Sequence, residues 1–360
     1  TQNTMRIAIA GLNPGSAMYA YYMAKDGHEV TVYTELQGDV FFADLMPHAL
    51  LGIVNRESIK LFTRKYLEDI LGMHIINTSL KSLIINGNKV VDQARGVYDH
   101  YDKVVVGSEV VLGSSGNCLS IYSDRLKLGK YAITGKDIGK NLEASLLVSE
   151  IGGSVNLNVP LAIDGDIAKS LPINRVETYN ECIDTDYKIT NPIIGEGFVG
   201  ELVGRGFTMR DSLSGLDYIV NRDYQLVIMG KLMALRDLGV INSVPTMPRL
   251  EVGFSRNYSF LSIGLTRDEL GLVFRDLSSS RIAYHGDDGE ITGKVLHRGN
   301  RLLSLQLIMR GIKIYNWFYH IYSLIMLNST AYLIIDMGYE RLFGTLRGLI
   351  EQLILDTYNI

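Results

Sequence analysis

The sequence predicts an α/β chain of more than one domain, with two strand, turn, helix and strand units in succession and then a hairpin-rich C-terminal part. Three observations carry this. An apolar run from Met5 to Ala10 leads into a glycine- and proline-bearing turn and a helical stretch. A weaker copy of that order begins at Lys130. From Arg249 onward, strand-like runs alternate with turn signals. The 360 residues, 47% of them hydrophobic, suffice for two or three packed domains.

In the first unit, Met5 to Ala10 reads as a buried strand, Gly11 to Ser16 as a tight turn, and the stretch to Asp26 as a helix ended by Gly27. A second strand, Glu29 to Tyr33, closes at Glu35, and Ala17, Ala20 and Ala24 let the helix lie close on a sheet. From Arg56 to Leu71 apolar residues recur at Ile59, Phe62, Tyr66 and Ile70, which predicts a helix capped by Asn55 and stopped by Gly72. Leu83 to Ile85 and Val90 to Val91 flank Asn86-Gly87-Asn88 as a hairpin, and Val104 to Val106 forms a short buried strand before Gly107. The second unit runs through strand Tyr131 to Ile133, turn Thr134 to Gly139, helix Asn141 to Ile151 and strand Val155 to Val159. Residues 160 to 214 are loop-rich. A hairpin, Ile291 to Leu296 and Arg301 to Met309, precedes two terminal helical segments.

Composition excludes several functions. With 35 basic against 39 acidic residues and no long run of either, the chain lacks the electrostatic footprint of a nucleic-acid binder. Cys118 and Cys182 lie far apart in no metal-ligand spacing, so neither a disulfide framework nor a metal site is expected, and a reducing, cytoplasmic setting is the default. The polar start at Thr1 to Thr4 offers no signal-peptide pattern. Ile314 to Ile335 is long enough to span a bilayer, but Asn316, His320, Asn328, Ser329 and Thr330 interrupt it, which favours two buried elements over a membrane span. His28 and His74 show no ligand spacing, and Asp287-Asp288 between Gly286 and Gly289 reads as a solvated turn.

A strand, glycine turn, helix, strand and terminal acid in that order is the pattern that seats a dinucleotide, its pyrophosphate on the unpaired N–H groups of the helix. The carriers here are Gly11-Leu12-Asn13-Pro14-Gly15-Ser16 with Glu35, the run Tyr101 to Ser108, Gly264 to Leu270 with its hairpin, and Asp336 to Phe343. In this order they resemble the pyridine-nucleotide disulfide oxidoreductases, in particular the coenzyme A-disulfide reductase and NADH oxidase branch, over nearly the whole chain. The resemblance implies tandem Rossmann-like FAD- and NAD(P)-binding units and an α+β dimerisation domain. It assigns residues 1–125 and about 205–248 to an FAD-binding-like domain, 126–204 to a shortened NAD(P)-binding-like domain, and 249–360 to a C-terminal domain that forms a homodimer.

The implied flavin contacts are Gly11, Asn13, Pro14, Gly15, Ser16, Glu35, Gly107 and Asp223, the last standing in an Arg222-Asp223 pair where the family has glycine and aspartate. Asn13 and Ser16 occupy the second and third glycine places, and the Asn13 side chain is expected to project toward the pyrophosphate. Two clasps persist and two are damaged, so FAD binding stays open. In the second unit Thr134 and Lys136 stand at the first two glycine places and Val159 replaces the ribose-binding acid, so NAD(P) is not expected to bind. Leu45 stands where the family's reactive cysteine would be, and leucine cannot attack a disulfide. Nearby His48 is read as a packing or surface histidine.

Two readings of function follow. One is a catalytically degenerate homologue, a structural, assembly or regulatory subunit that keeps the fold and the dimer. The other is a cysteine-free FAD-dependent NAD(P)H oxidoreductase passing electrons to oxygen, a quinone or another carrier. A dehydrogenase using the first unit alone is weaker, because no catalytic constellation follows it. The aromatic end with Trp317, Phe318, Tyr319 and Tyr322 suits a partner surface or core packing equally.

Overall fold

The structure, a computed structural model, describes residues 3–111, 118–123, 126–157, 159–186, 188–287, 289–299 and 301–311. The terminal features read above, from Ile314 to the end, lie outside these residues.

The first unit forms as its pattern dictates. Strand β1 (Arg6–Ala10) alternates, placing Ile7 and Ile9 in one core and Ala8 and Ala10 in another. Helix α1 (Pro14–Lys25) follows, then β2 (Glu29–Thr34) and β3 (His74–Asn77). A meander of β4 (Leu83–Asn86), β5 (Lys89–Asp92) and β6 (Val97–His100) precedes β7 (Lys103–Gly107), and Gly87 supplies the positive φ of 57° that the tight hairpin needs. The second unit contains β8 (Leu119–Ser120), β9 (Lys130–Thr134), α2 (Ile138–Glu150), β10 (Ser154–Asn156) and β11 (Glu181–Asp184). Next come β12 (Ile193–Ile194), β13 (Glu201–Val203) and α3 (Asp223–Asp237). The last part is β14 (Leu250–Phe254), β15 (Tyr258–Gly264), β16 (Ser278–Gly286), β17 (Gly289–Arg298) and β18 (Arg301–Arg310).

Four sheets of four or more strands organise the described residues. The first is parallel, in the order β13, β7, β1, β2, β3, covered on one face by α1 and α3 and on the other by the sheet of β12, β4, β5 and β6. The second, also parallel, runs β8, β11, β9, β10 around α2. The third is antiparallel, in the order β14, β15, β18, β17, β16, and packs Phe260 and Ile308 against Leu142 and Leu146 of α2. Sheet pairing puts Leu119–Ser120 with the second unit and Glu201–Val203 with the first.

Some expectations change. The helix read over 56–71 is broken: Lys60–Phe62 pairs with Val40–Phe41, between a 3-10 turn, Arg56–Ile59, that Asn55 caps as expected and a short helical turn, Tyr66–Ile70. Asp39 accepts from the Arg64 N–H at 2.9 Å, where the second helical turn begins and an N–H has no partner within the helix. The strand expected to reach Val159 stops at Asn156. Cys118 and Cys182, read as unpaired, form a disulfide with Cα atoms 4.8 Å apart, because the parallel register sets Leu119 against Ile183. That pairing removes the cysteine argument for a reducing compartment. Among the described residues no helix is long and apolar enough to cross a membrane, and no cluster could hold a metal ion.

Candidate functional site

The turn between β1 and α1 is built for an anion, yet each of its N–H groups is taken from within the chain. Gly11 donates to the Tyr33 carbonyl at 2.8 Å, and Leu12 donates to Glu109 Oε1 at 2.8 Å. The Asn13 N–H donates to Ser16 Oγ at 2.9 Å, and Asn13 Oδ1 accepts from Gly15 at 2.8 Å and Ser16 at 3.1 Å. Ala17 donates to the Asn13 carbonyl, and Pro14 has no N–H. Asn13 is therefore the N-cap of α1, and Ser16 completes a capping box. Its side chain does not project into the groove as expected. It turns inward, 4% exposed, and Nδ2 donates to the carbonyls of Ser108 at 3.0 Å and Val203 at 2.7 Å.

The glycines of the turn serve packing. A Cβ at Gly11 would strike the Gly107 carbonyl, one at Gly107 the Gly11 carbonyl, and one at Gly15 the Leu226 carbonyl of α3, while Gly230 of α3 abuts the Gly15 carbonyl. Strand ends and helices thus approach each other at these positions, as a helix-to-sheet contact requires.

Beside this turn lies a cavity of about 490 Å³, lined by Leu12, Asn13, Pro14, Glu35, Glu109, Arg205 and Asp223 among others. Glu35 stands at the end of β2 as predicted, its Oε1 accepting from the Leu80 N–H at 3.2 Å. Glu109, which sequence reasoning missed, is the floor of the groove. Its carboxylate accepts from Leu12, from Thr34 Oγ1 and, at 2.9 Å, from the Glu35 N–H. Burial pushes its pKa from an ordinary 4.5 up to about 7, against those hydrogen bonds. Its position two residues past Gly107 was the only signal, and that becomes informative only when β7 is known to lie against β1.

Deeper in, charges from all three units meet. Asp223 opens α3 and exchanges backbone contacts with Asp44: the Asp44 N–H reaches Asp223 Oδ2 at 2.9 Å, and the Asp223 N–H reaches Asp44 Oδ2 at 2.7 Å. Arg205 pairs with Asp223 and with Asp44. Arg222 lies 3.3 Å from Asp44 and 3.3 Å from Glu143, and Lys140 lies 2.8 Å from Glu143. Burial opposes ionisation of Glu143, but Lys140, His48 and Arg222 bring its pKa below the usual range. Burial raises the pKa values of Asp223, Asp137 and Glu251. His48 is a packing histidine, fully buried, stacked on Phe254 at 4.2 Å and bonded to the Phe254 carbonyl at 2.6 Å, and burial lowers its pKa.

Leu45 borders a smaller cavity of about 240 Å³ together with Asp44, Asp223, Arg222 and Phe254. Cys182 sits in β11 of the second sheet and Cys118 just before β8, tied to each other.

At the second unit, Lys136 is exposed and does not fill the turn as expected; its N–H bonds to Asp186 at 2.5 Å. The buried Asp137 carboxylate caps α2 instead, accepting from the Lys140 N–H at 3.0 Å. Gly139 faces the charge cluster, where a Cβ would lie 2.7 Å from Arg222 Nη1. An acid holds the helix end that would meet a phosphate.

Two parallel sheets with glycine turns and a following antiparallel sheet define a tandem dinucleotide-binding architecture, and the fold is that of the pyridine-nucleotide disulfide oxidoreductases. The chain is similar to reduced CoADR-RHD of Bacillus anthracis, at 12% identity and a TM-score of 0.72, covering 98% of this chain and 81% of that one. A pyridine nucleotide-disulfide family oxidoreductase of Enterococcus faecalis matches at 13% identity and a TM-score of 0.71, covering 99% of both chains. The water-forming NADH oxidase of Lactobacillus brevis, bound to NADH, matches at 14% identity and a TM-score of 0.65, again over 99% of both chains. No protein-family model matches the sequence, and no curated protein does.

Proposed function

We propose that the chain is a catalytically degenerate relative of these oxidoreductases, acting as a structural, assembly or regulatory subunit. One observation carries the reading: the turn from Gly11 to Ala17 has no N–H left to offer a pyrophosphate, because Asn13, Ser16 and Glu109 take the groups that backbone carbonyls do not. Leu45 in the cysteine's place supports it, as thiol exchange needs a thiolate. Asp137 at the start of α2 argues in the same direction for NAD(P). A homodimer through the C-terminal domain, a cytoplasmic location and the absence of nucleic-acid binding belong to the same proposal.

The second reading, a cysteine-free FAD-dependent NAD(P)H oxidoreductase, is favoured by Glu35 at the end of β2 and by a groove of about 490 Å³. It requires Asn13 to release the Gly15 and Ser16 N–H groups to the ligand. Absorbance of the purified protein and its thermal midpoint with and without FAD separate the two. A colourless protein whose midpoint FAD does not raise supports the degenerate subunit, whereas flavin absorbance or a saturable FAD shift supports the oxidoreductase.

A further inference from the structure

The residues beside α1 disagree with the dinucleotide that this fold carries elsewhere, and the disagreement points to a different ligand. Asn13 Oδ1 and the Glu109 carboxylate accept from the Gly15, Ser16, Leu12 and Glu35 N–H groups, so the anion's place is filled from within. What remains is a cavity of about 490 Å³, within the range of small-molecule sites, with Leu12, Pro14, Val40, Phe41 and Met46 among its walls.

Its charges are unbalanced. Arg205 is committed to Asp44 and Asp223, and Asp39 lies 3.4 Å from Lys60. Glu109 is 6% exposed, and among the described residues no ion pair joins it to a base; its carboxylate stands instead beside another acid, accepting from the Glu35 N–H at 2.9 Å. A second anion there would meet two carboxylates and a turn whose N–H groups are already bonded, while a cation would supply a counter-charge to Glu109.

We propose that this groove binds an organic monocation with a flat apolar body, Glu109 serving as counter-ion and Glu35 as a second acceptor. The inference rests on the reading that no dinucleotide occupies the groove.

Calorimetric titration at pH 8 with three compounds sharing a naphthyl body tests it: 1-naphthylmethylamine, 1-naphthalenemethanol and 1-naphthoate. The ammonium compound should bind at least about tenfold more tightly than the alcohol, the carboxylate should not bind, and Glu109→Gln should weaken the ammonium compound by about tenfold. Met46→Trp, which fills the groove and leaves Glu109 in place, should abolish binding. Equal affinity for alcohol and amine, binding of the carboxylate, or unchanged amine affinity in either variant overturns the proposal. FAD is titrated in parallel. Uptake of FAD overturns the degenerate-subunit reading and this proposal together, whereas failure of both FAD and the amine overturns this proposal alone.

Discussion

Glu109→Gln should make the folded chain less sensitive to alkaline pH. The folded protein holds this carboxyl near 7 where an exposed one titrates near 4.5, so its protonated form is the one the fold prefers. Stability from this group is fully present below the unfolded value and is lost as pH rises through the folded one. Between pH 5 and pH 8 the wild type should lose about 2.5 kcal/mol through Glu109 alone, from a shift of roughly two and a half pKa units. Glutamine has no charge to lose, but it keeps fewer acceptors for the Leu12, Thr34 and Glu35 donors, which costs about 1 kcal/mol at every pH. The variant should therefore be less stable than wild type at pH 5 and more stable at pH 8. Urea unfolding at both pH values measures this. A stability difference that does not change with pH would show that Glu109 titrates like an exposed carboxylate, and the account of the groove would fall with it.

Reducing the Cys118–Cys182 bond, or replacing both cysteines by serine, should lower stability by up to about 4 kcal/mol, since the bond spans a separation of 64 residues; an unchanged urea midpoint after verified reduction would refute this. Gly230→Ala should destabilise by about 1–3 kcal/mol despite alanine's better helix propensity, because the new Cβ meets the Gly15 carbonyl, which is backbone and cannot turn aside. A neutral or raised denaturation midpoint would count against that contact. Arg222→Met should cost about 3–5 kcal/mol by leaving Asp44 and Glu143 short of a partner, and a loss under 1 kcal/mol would mean that the cluster is hydrated and weakly coupled.

The sequence displayed the first unit well because its strand, turn and helix are local patterns: Ile7 and Ile9 alternate with Ala8 and Ala10, and Gly27 ends the helix where the spacing stops. The hairpin of β17 and β18 was visible for the same reason. The site was less visible. Asn13 was recognised as misplaced, but Asn-x-x-Ser is also a capping pair, and which way the amide turns depends on the carbonyls of Ser108 and Val203, far off in sequence. The charge cluster was dispersed among Asp44, Lys140, Glu143, Arg205 and Arg222, each ordinary by itself. Only Lys140 and Glu143, three apart inside a helix otherwise lined with apolar and small residues, hinted at burial. The disulfide could not be foreseen, because it depends on two very short strands meeting in parallel.

The collisions that keep side chains off Gly11, Gly15, Gly107 and Gly230 would hold whether or not anything ever entered the groove. A lineage that abandons its cofactor therefore stays under pressure to retain those four residues for the sake of its own backbone. A glycine signature of this kind reports how tightly strand and helix are pressed together; the presence of a nucleotide is written instead in whether the neighbouring amides are still unspoken for.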